Sequence, residues 1–274
     1  MDFTFVQQRS VELGLSLHVV ACEVMQALFL DRLYAHTESR DLHFHGGTSL
    51  RLLHGGYRFS EDLDFASIRH SKEALQKLMT ATTQEFKKQL VQQWGPLEVE
   101  LKSINEEFPV VSWWLNVAYP EYRGKFKVKL EIGHFPVHHP KVFPLQPTDL
   151  ALALNPLVSS QALEESYADK INALAQRPFL KGRDLFDLWY LREALRVKAD
   201  TALVKQKFKD YRTENPKQAL EKVLTEIPQS PLDAEMNRFL PRPQREKLRA
   251  HGYQIVKAAA QAGIEEIQGA FGWR

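Results

Sequence analysis

The chain reads as an α+β protein, a mixed, largely antiparallel sheet flanked by helices and followed by an all-helical C-terminal domain. Three observations predict this. Period-two alternation of apolar and polar residues recurs between Leu97 and Ile132. After Asn155-Pro156 the apolar spacing turns wholly helical. Between them in importance stands His43 to Phe65, which reads as two short strands around a glycine-rich turn and a short helix. The expected domains are therefore 1–155 and 156–274.

Taken in order, residues 4–35 carry Leu13, Val20, Val24, Leu28 and Leu33 at mixed three- and four-residue spacing, and Gly14 should divide them into two helices. Leu42 to His45 is a short apolar strand, Leu50 to His54 a helical turn stopped by Gly55-Gly56, and Asp62 to Phe65 a second strand. Ser71 to Trp94 is amphipathic and helical, and ends at Gly95-Pro96. Leu97–Ile104, Val110–Tyr119 and Phe126–Ile132 are strands, the last alternating Phe126, Val128, Leu130 and Ile132 with Lys127, Lys129 and Glu131. His134 to Pro156 is a connector containing Pro and His. Helices are then expected over 161–175, 182–195, 202–209, 216–226 and 243–271.

Composition narrows the class of protein. The 44% hydrophobic and 26% charged residues are those of a globular chain. A formal charge of +2 points neither to nor away from nucleic acid. The single Cys22 excludes an internal disulfide and any cysteine-based metal cluster, and its apolar surroundings predict a buried thiol. No apolar run approaches the ~20 residues that span a bilayer, and Met-Asp-Phe-Thr-Phe lacks the basic and apolar regions of a signal peptide. The expectation is a cytoplasmic protein without a membrane partner.

His43 to Phe65 carries the chemistry. Gly46 and Gly47 follow a strand and open a helix, so the backbone can approach a ligand that a Cβ would exclude. The helix start offers N–H groups and a positive dipole end to a phosphate, and Thr48 and Ser49 add hydroxyls. Asp62 and Asp64, two apart on a strand, turn their carboxylates to one side and suit Mg²⁺. Alone, the glycines also fit an ordinary strand-to-helix turn, and the acids a solvated strand edge. Together they point to a triphosphate-and-metal site. His43, His45, the histidines near 134–139, Trp113-Trp114 and the basic run Arg242, Arg245, Lys247 and Arg249 are weaker candidates, each with an ordinary structural role available.

Gly46-Gly47-Thr48 followed by Ser60-Glu61-Asp62-Leu63-Asp64-Phe65 resembles the signature of DNA-polymerase-β-type nucleotidyltransferases. The longer string, Gly-Gly-Thr-Ser-Leu-Arg with Tyr-Arg-Phe-Ser-Glu-Asp-Leu-Asp-Phe, is similar to the AbiEii/AbiGii toxin family of type IV toxin–antitoxin and phage-defence systems. The resemblance implies a nucleotidyltransferase sheet with a third metal-binding carboxylate on a later strand, matched by Glu131. It also implies an Asp/Glu-Lys helix motif, matched by Asp169-Lys170, and an Arg-Asp-x-x-Asp motif, matched by Arg183, Asp184 and Asp187. The catalytic set it implies is Asp62, Asp64, Glu131, Lys170 and Asp187. Asp62, Asp64 and Glu131 would hold two Mg²⁺ ions, and Gly46, Gly47, Thr48, Ser49, Lys170, Arg183 and Asp184 would bind the nucleotide. The implied reaction is transfer of a nucleoside monophosphate from an NTP to an acceptor hydroxyl. A tRNA 3′ end is the implied acceptor and a cognate antitoxin the implied partner. Asp187 would either orient Lys170 or assist deprotonation, and the site would complete itself between the two domains. A small-molecule or protein acceptor, or a non-catalytic nucleotide- or RNA-binding module, are the alternatives.

Overall fold

The structure, a computed structural model, describes residues 2–146 and 154–273. Gly14, in the left-handed region at φ 63°, ends a first helix α1 (Phe3–Leu13), and the Ser16 hydroxyl accepts from the Val19 N–H to start α2 (Leu17–Leu33). The remaining helices and strands of the first unit are β1 (His43–His45), α3 (Gly46–His54), β2 (Asp62–Ala66), α4 (Lys72–Trp94), β3 (Glu98–Asn105), β4 (Val110–Ala118), β5 (Phe126–Gly133), β6 (Pro140–Pro144) and β7 (Leu157–Gln161).

The seven strands among the described residues form one sheet in the order β3-β4-β5-β2-β1-β7-β6. The sheet is mixed: β2 runs parallel to β5 and β1 parallel to β7, and the other pairs are antiparallel. Alternation decides which side of each strand is buried. Leu63 and Phe65 of β2, and Phe126, Val128, Leu130 and Ile132 of β5, are buried, while Asp62, Asp64, Lys129 and Glu131 stay partly accessible. A helix that is apolar on all sides belongs in a core. Accordingly α2 is buried almost throughout and packs on β5 and α4. Cys22 lies there, as expected.

Two strands are not among those expected: β6 stands inside the expected connector, and β7 lies between the end of that connector and the helix expected from 161. β6 is an edge strand bounded by Pro140 and Pro144, positions where proline removes no interior ladder bond. β7 is short and enters the sheet through its parallel pairing with β1. Residues 147–153 of the expected connector lie outside the described residues.

The chain divides into two compact units, Met1–Gln161 and Ala162–Arg274. The division follows β7 because that strand belongs to the sheet. The second unit consists of helices: α5 (Leu163–Gln176), α6 (Gly182–Trp189) running into a π-helical turn at Tyr190–Ala194, α7 (Thr201–Asp210), α8 (Pro216–Glu226), α9 (Leu232–Phe239), α10 (Arg242–Arg249) and α11 (Gln254–Ala270). The single helix expected over 243–271 is two, because Gly252 and Tyr253 both take positive φ. α9 has no counterpart in the periodicity, being a short segment between Pro231 and Pro241. No helix among the described residues is long and apolar enough to cross a membrane.

Candidate active site

In the first unit the glycine turn is already helix: α3 begins at Gly46, directly after β1. His45 faces Asp64 in the antiparallel β1–β2 register, so Gly46 arrives over the Asp64 carboxylate. A Cβ at Gly46 would lie 2.5 Å from Asp64 Oδ2, and its φ is +81°. Glycine is therefore required here by approach and by conformation. The His45 side chain at the N-cap of α3 makes no capping hydrogen bond, and the first-turn N–H groups of a helix have no intrahelical partners. Thr48 and Ser49 are buried, and their hydroxyls brace the turn: Thr48 Oγ1 donates to Asp62 O, and Ser49 Oγ to Gly46 O at 2.9 Å. With both hydroxyls engaged inside the protein, the first-turn backbone amides are the groups that could meet an anion here.

A buried charged pair sets the path from α3 to β2. Arg51 donates to both Glu23 oxygens, at 2.8 and 3.1 Å, and to Gly56 O at 2.9 Å. Its guanidinium lies 4.1 Å from the Phe59 ring centroid. Gln26 Nε2 donates to Ser60 O at 3.0 Å. Glu23 and Gln26 are polar positions inside an apolar helix, and both hold the segment that delivers Asp62. Their sequence signal was a charge and an amide within the run Val19 to Leu30, which periodicity alone leaves unassigned.

The parallel β2–β5 register sets Asp64 against Glu131 and Asp62 against Lys129. Glu131 Oε1 accepts from Lys129 Nζ at 2.9 Å, both side chains about 30% exposed. Asp62, Asp64 and Glu131 supply hard carboxylate oxygens on adjacent strands, a donor chemistry that suits a divalent cation. Among the described residues no three His, Cys, Asp or Glu side chains stand grouped as a ready-made metal centre. Glu131 is held by Lys129, so it would have to exchange that ammonium for a metal. Of the weaker candidates, Trp113 is a core residue whose Nε1 donates to Gln76 Oε1, and His43 Nδ1 shares a hydrogen bond with Ser159 Oγ at 2.8 Å.

The second unit gathers the other predicted residues around one carboxylate. Asp184, 2% exposed, receives Lys170 Nζ at 3.3 Å and Arg177 Nη1 at 2.5 Å. Lys170 Nζ also lies 2.7 Å from Asp187 Oδ2. Spacing of three on α6 puts both acids on one face, and Lys170 of α5 meets Asp184 together with Arg177, the extended residue just past the end of that helix. Asp169 turns elsewhere, to Lys207 of α7 at 3.2 Å, which also binds Glu165 at 2.7 Å. Burial works to lower the Lys207 ammonium, but the charges of Asp169 and Glu165 and their hydrogen bonds outweigh it, and its pKa is raised. Arg183 keeps its side chain at the surface edge while its N–H, with that of Gly182, donates to the Glu235 carboxylate at 2.9 and 3.1 Å. Glu165, Lys207 and Glu235 escape sequence reasoning because each looks like an exposed charge on an amphipathic helix.

Residues 28–262 match the family described as nucleotidyl transferase AbiEii toxin, type IV TA system. Among solved structures, the chain is similar to MenT4, a nucleotidyltransferase toxin from Mycobacterium tuberculosis, at 18% identity and a TM-score of 0.56, over 97% of this chain and 98% of that one. It is also similar to JHP933 from Helicobacter pylori, at 17% identity and a TM-score of 0.56, over 93% and 94%. At these identities the likeness is one of fold. Comparison with curated proteins gives no match.

Proposed function

From the premise that this chain belongs to the AbiEii nucleotidyltransferase toxin family of type IV toxin–antitoxin systems, we propose that it transfers a nucleoside monophosphate from an NTP to the 3′-terminal hydroxyl of a tRNA, with Mg²⁺. The observation that carries the reading is Gly46 lying against Asp64, itself in register with Glu131. A phosphate cradle and a carboxylate set are thereby joined on one rigid sheet.

The first-turn amides of α3 bind the triphosphate. Asp62, Asp64 and Glu131 would hold Mg²⁺, which when bound supplies Lewis-acid polarisation and lowers the pKa of the attacking hydroxyl. The acceptor oxygen forms a bond to the α-phosphorus as the bond to pyrophosphate breaks. Gly46 keeps the space beside Asp64 clear of side chain. Lys129, which faces Asp62 and holds Glu131, balances the negative charge of the acids until substrate arrives. Lys170 is assigned to the charge that grows on the leaving pyrophosphate. Its ion pairs with Asp184 and Asp187 favour positioning as the role of Asp187 over that of a base. A family of toxins implies a cognate antitoxin, and NTP with tRNA as substrates places the action in the cytoplasm.

The test is incubation of the purified protein with total tRNA, each labelled triphosphate and Mg²⁺, beside Asp62→Ala and a chelated control. Label should enter tRNA with the wild type alone. Label entering small molecules or protein instead would replace the acceptor; equal labelling by Asp62→Ala would end the enzymatic reading.

A further inference from the structure

The loop between α5 and α6 gathers cations and an exposed ring. Pro178 stops α5 directly after Arg177, since it cannot donate to the helix ladder. The loop is tied at both ends. Lys222 Nζ of α8 donates to Pro178 O at 3.4 Å. At the other end a Cβ on Gly182 would meet Leu232 Cα at 2.8 Å, so this backbone lies hard against α9. The N-terminus of α6 already has its anion, the Glu235 carboxylate. Any further anion at this loop must be met by side chains.

Between those anchors Phe179 is 68% exposed, flanked in sequence by Arg177, Lys181 and Arg183. Arg177 is spent on Asp184. Among the described residues, neither Lys181 nor Arg183 has a carboxylate in ion-pair contact with its side chain. Burial first, then the neighbouring Arg177 and Arg183, hold the Lys181 ammonium below its ordinary value, against the opposing pull of Asp184 and Glu235. A partly buried ammonium with no carboxylate in ion-pair contact, on a loop that also carries Arg183, is complementary to an anion from outside the chain. An exposed ring on an anchored loop beside it is complementary to a base.

We propose that the Arg177–Arg183 loop grips single-stranded RNA, with Phe179 stacking on an unpaired base and Lys181 and Arg183 holding backbone phosphates. Naming that strand as the acceptor rests on the transferase reading; the grip itself does not. Stacking on an aromatic tolerates any base, and phosphate contacts carry no sequence information. The loop therefore confers affinity for a strand rather than for a sequence.

The test uses the full chain and a short fluorescein-labelled single-stranded RNA, followed by anisotropy across a salt series. ATP binding and nucleotide transfer are measured in parallel. Phe179→Ala should weaken RNA binding about tenfold and Phe179→Trp restore it, as expected of stacking. Lys181→Ala should lower the slope of log K against log salt by about 0.7, one phosphate contact on a single strand. ATP affinity should hold in all three. RNA binding unchanged in Phe179→Ala and Lys181→Ala overturns the proposal. So does a loss of ATP affinity in step with RNA affinity, which would give the cluster to the triphosphate. A wild type that binds RNA through these residues yet transfers no nucleotide leaves the grip standing and removes the transferase reading.

Discussion

Replacing Gly46 by alanine probes the joint between cradle and carboxylates. At φ +81° the new residue pays about 1–2 kcal/mol for a left-handed conformation. Its Cβ would also stand 2.5 Å from Asp64 Oδ2, whereas van der Waals contact between heavy atoms lies near ~3.5 Å. The Asp64 carboxylate must therefore move by about 1 Å, a displacement that costs on the order of 10²-fold in rate when it falls on a catalytic group. Gly95 supplies the control: its φ is +82°, and a Cβ there meets nothing within 4 Å. Urea unfolding should show Gly95→Ala losing about 1–3 kcal/mol, since φ +82° with ψ −166° is a region only glycine visits readily, and Gly46→Ala destabilised by its positive φ and by the contact with Asp64. Labelled-nucleotide transfer under saturating NTP should fall about 100-fold in Gly46→Ala and hold in Gly95→Ala. Wild-type turnover by Gly46→Ala would refute the reasoning, as would an equal loss in Gly95→Ala, since conformational strain alone would then account for the effect.

Three further outcomes are expected. Lys170→Ala and Asp187→Asn should each lower kcat by about 10²–10³, the usual cost of removing one group that meets transition-state charge or positions such a group; normal turnover in either folded variant removes that residue's assignment. Lys207→Met takes the neutralising ammonium from the fully buried Glu165 carboxylate and should cost about 3–5 kcal/mol in urea unfolding, with Lys207→Met/Glu165→Gln recovering most of it. His54, edge-on to Phe143, has its imidazolium disfavoured by burial, so its pKa falls from the ordinary 6.5 to about 4. As pH drops below 6.5 the unfolded chain binds a proton the native chain refuses, and stability falls until about pH 4, where the loss levels off. At ~1.36 kcal/mol for each pH unit between the two values this amounts to about 3 kcal/mol; His54→Gln should abolish that part of the pH dependence measured by urea titration between pH 7 and 4.

Legibility in the sequence followed range. The alternation of Phe126 to Ile132 named the strand and its buried side, and the spacing of Asp62 and Asp64 named their common face. Gly14, Gly55 and Ser71 marked helix ends where they occur. β6 and β7 were not legible, because short strands framed by proline or rich in serine carry no periodic signal and exist through their partners. The break at Gly252-Tyr253 was hidden by apolar spacing that continues across it.

By itself the sequence determined the fold class, the strand-to-helix glycine turn followed by a strand with two acids, and the residues that match the family's motifs, because each of these is a local pattern set by side-chain period or backbone freedom. Only the tertiary structure decided which acid stands beside which, through the parallel β2–β5 register that sets Glu131 against Asp64. It alone revealed that Lys129 holds Glu131, that Arg51 and Glu23 steer the segment into β2, that Asp169 belongs to Lys207, and that Glu235 fills the start of α6. A charged residue on a helix or strand looks the same in sequence whether water or an opposite charge will meet it. That choice depends on partners distant in the chain, brought together only when the core closes.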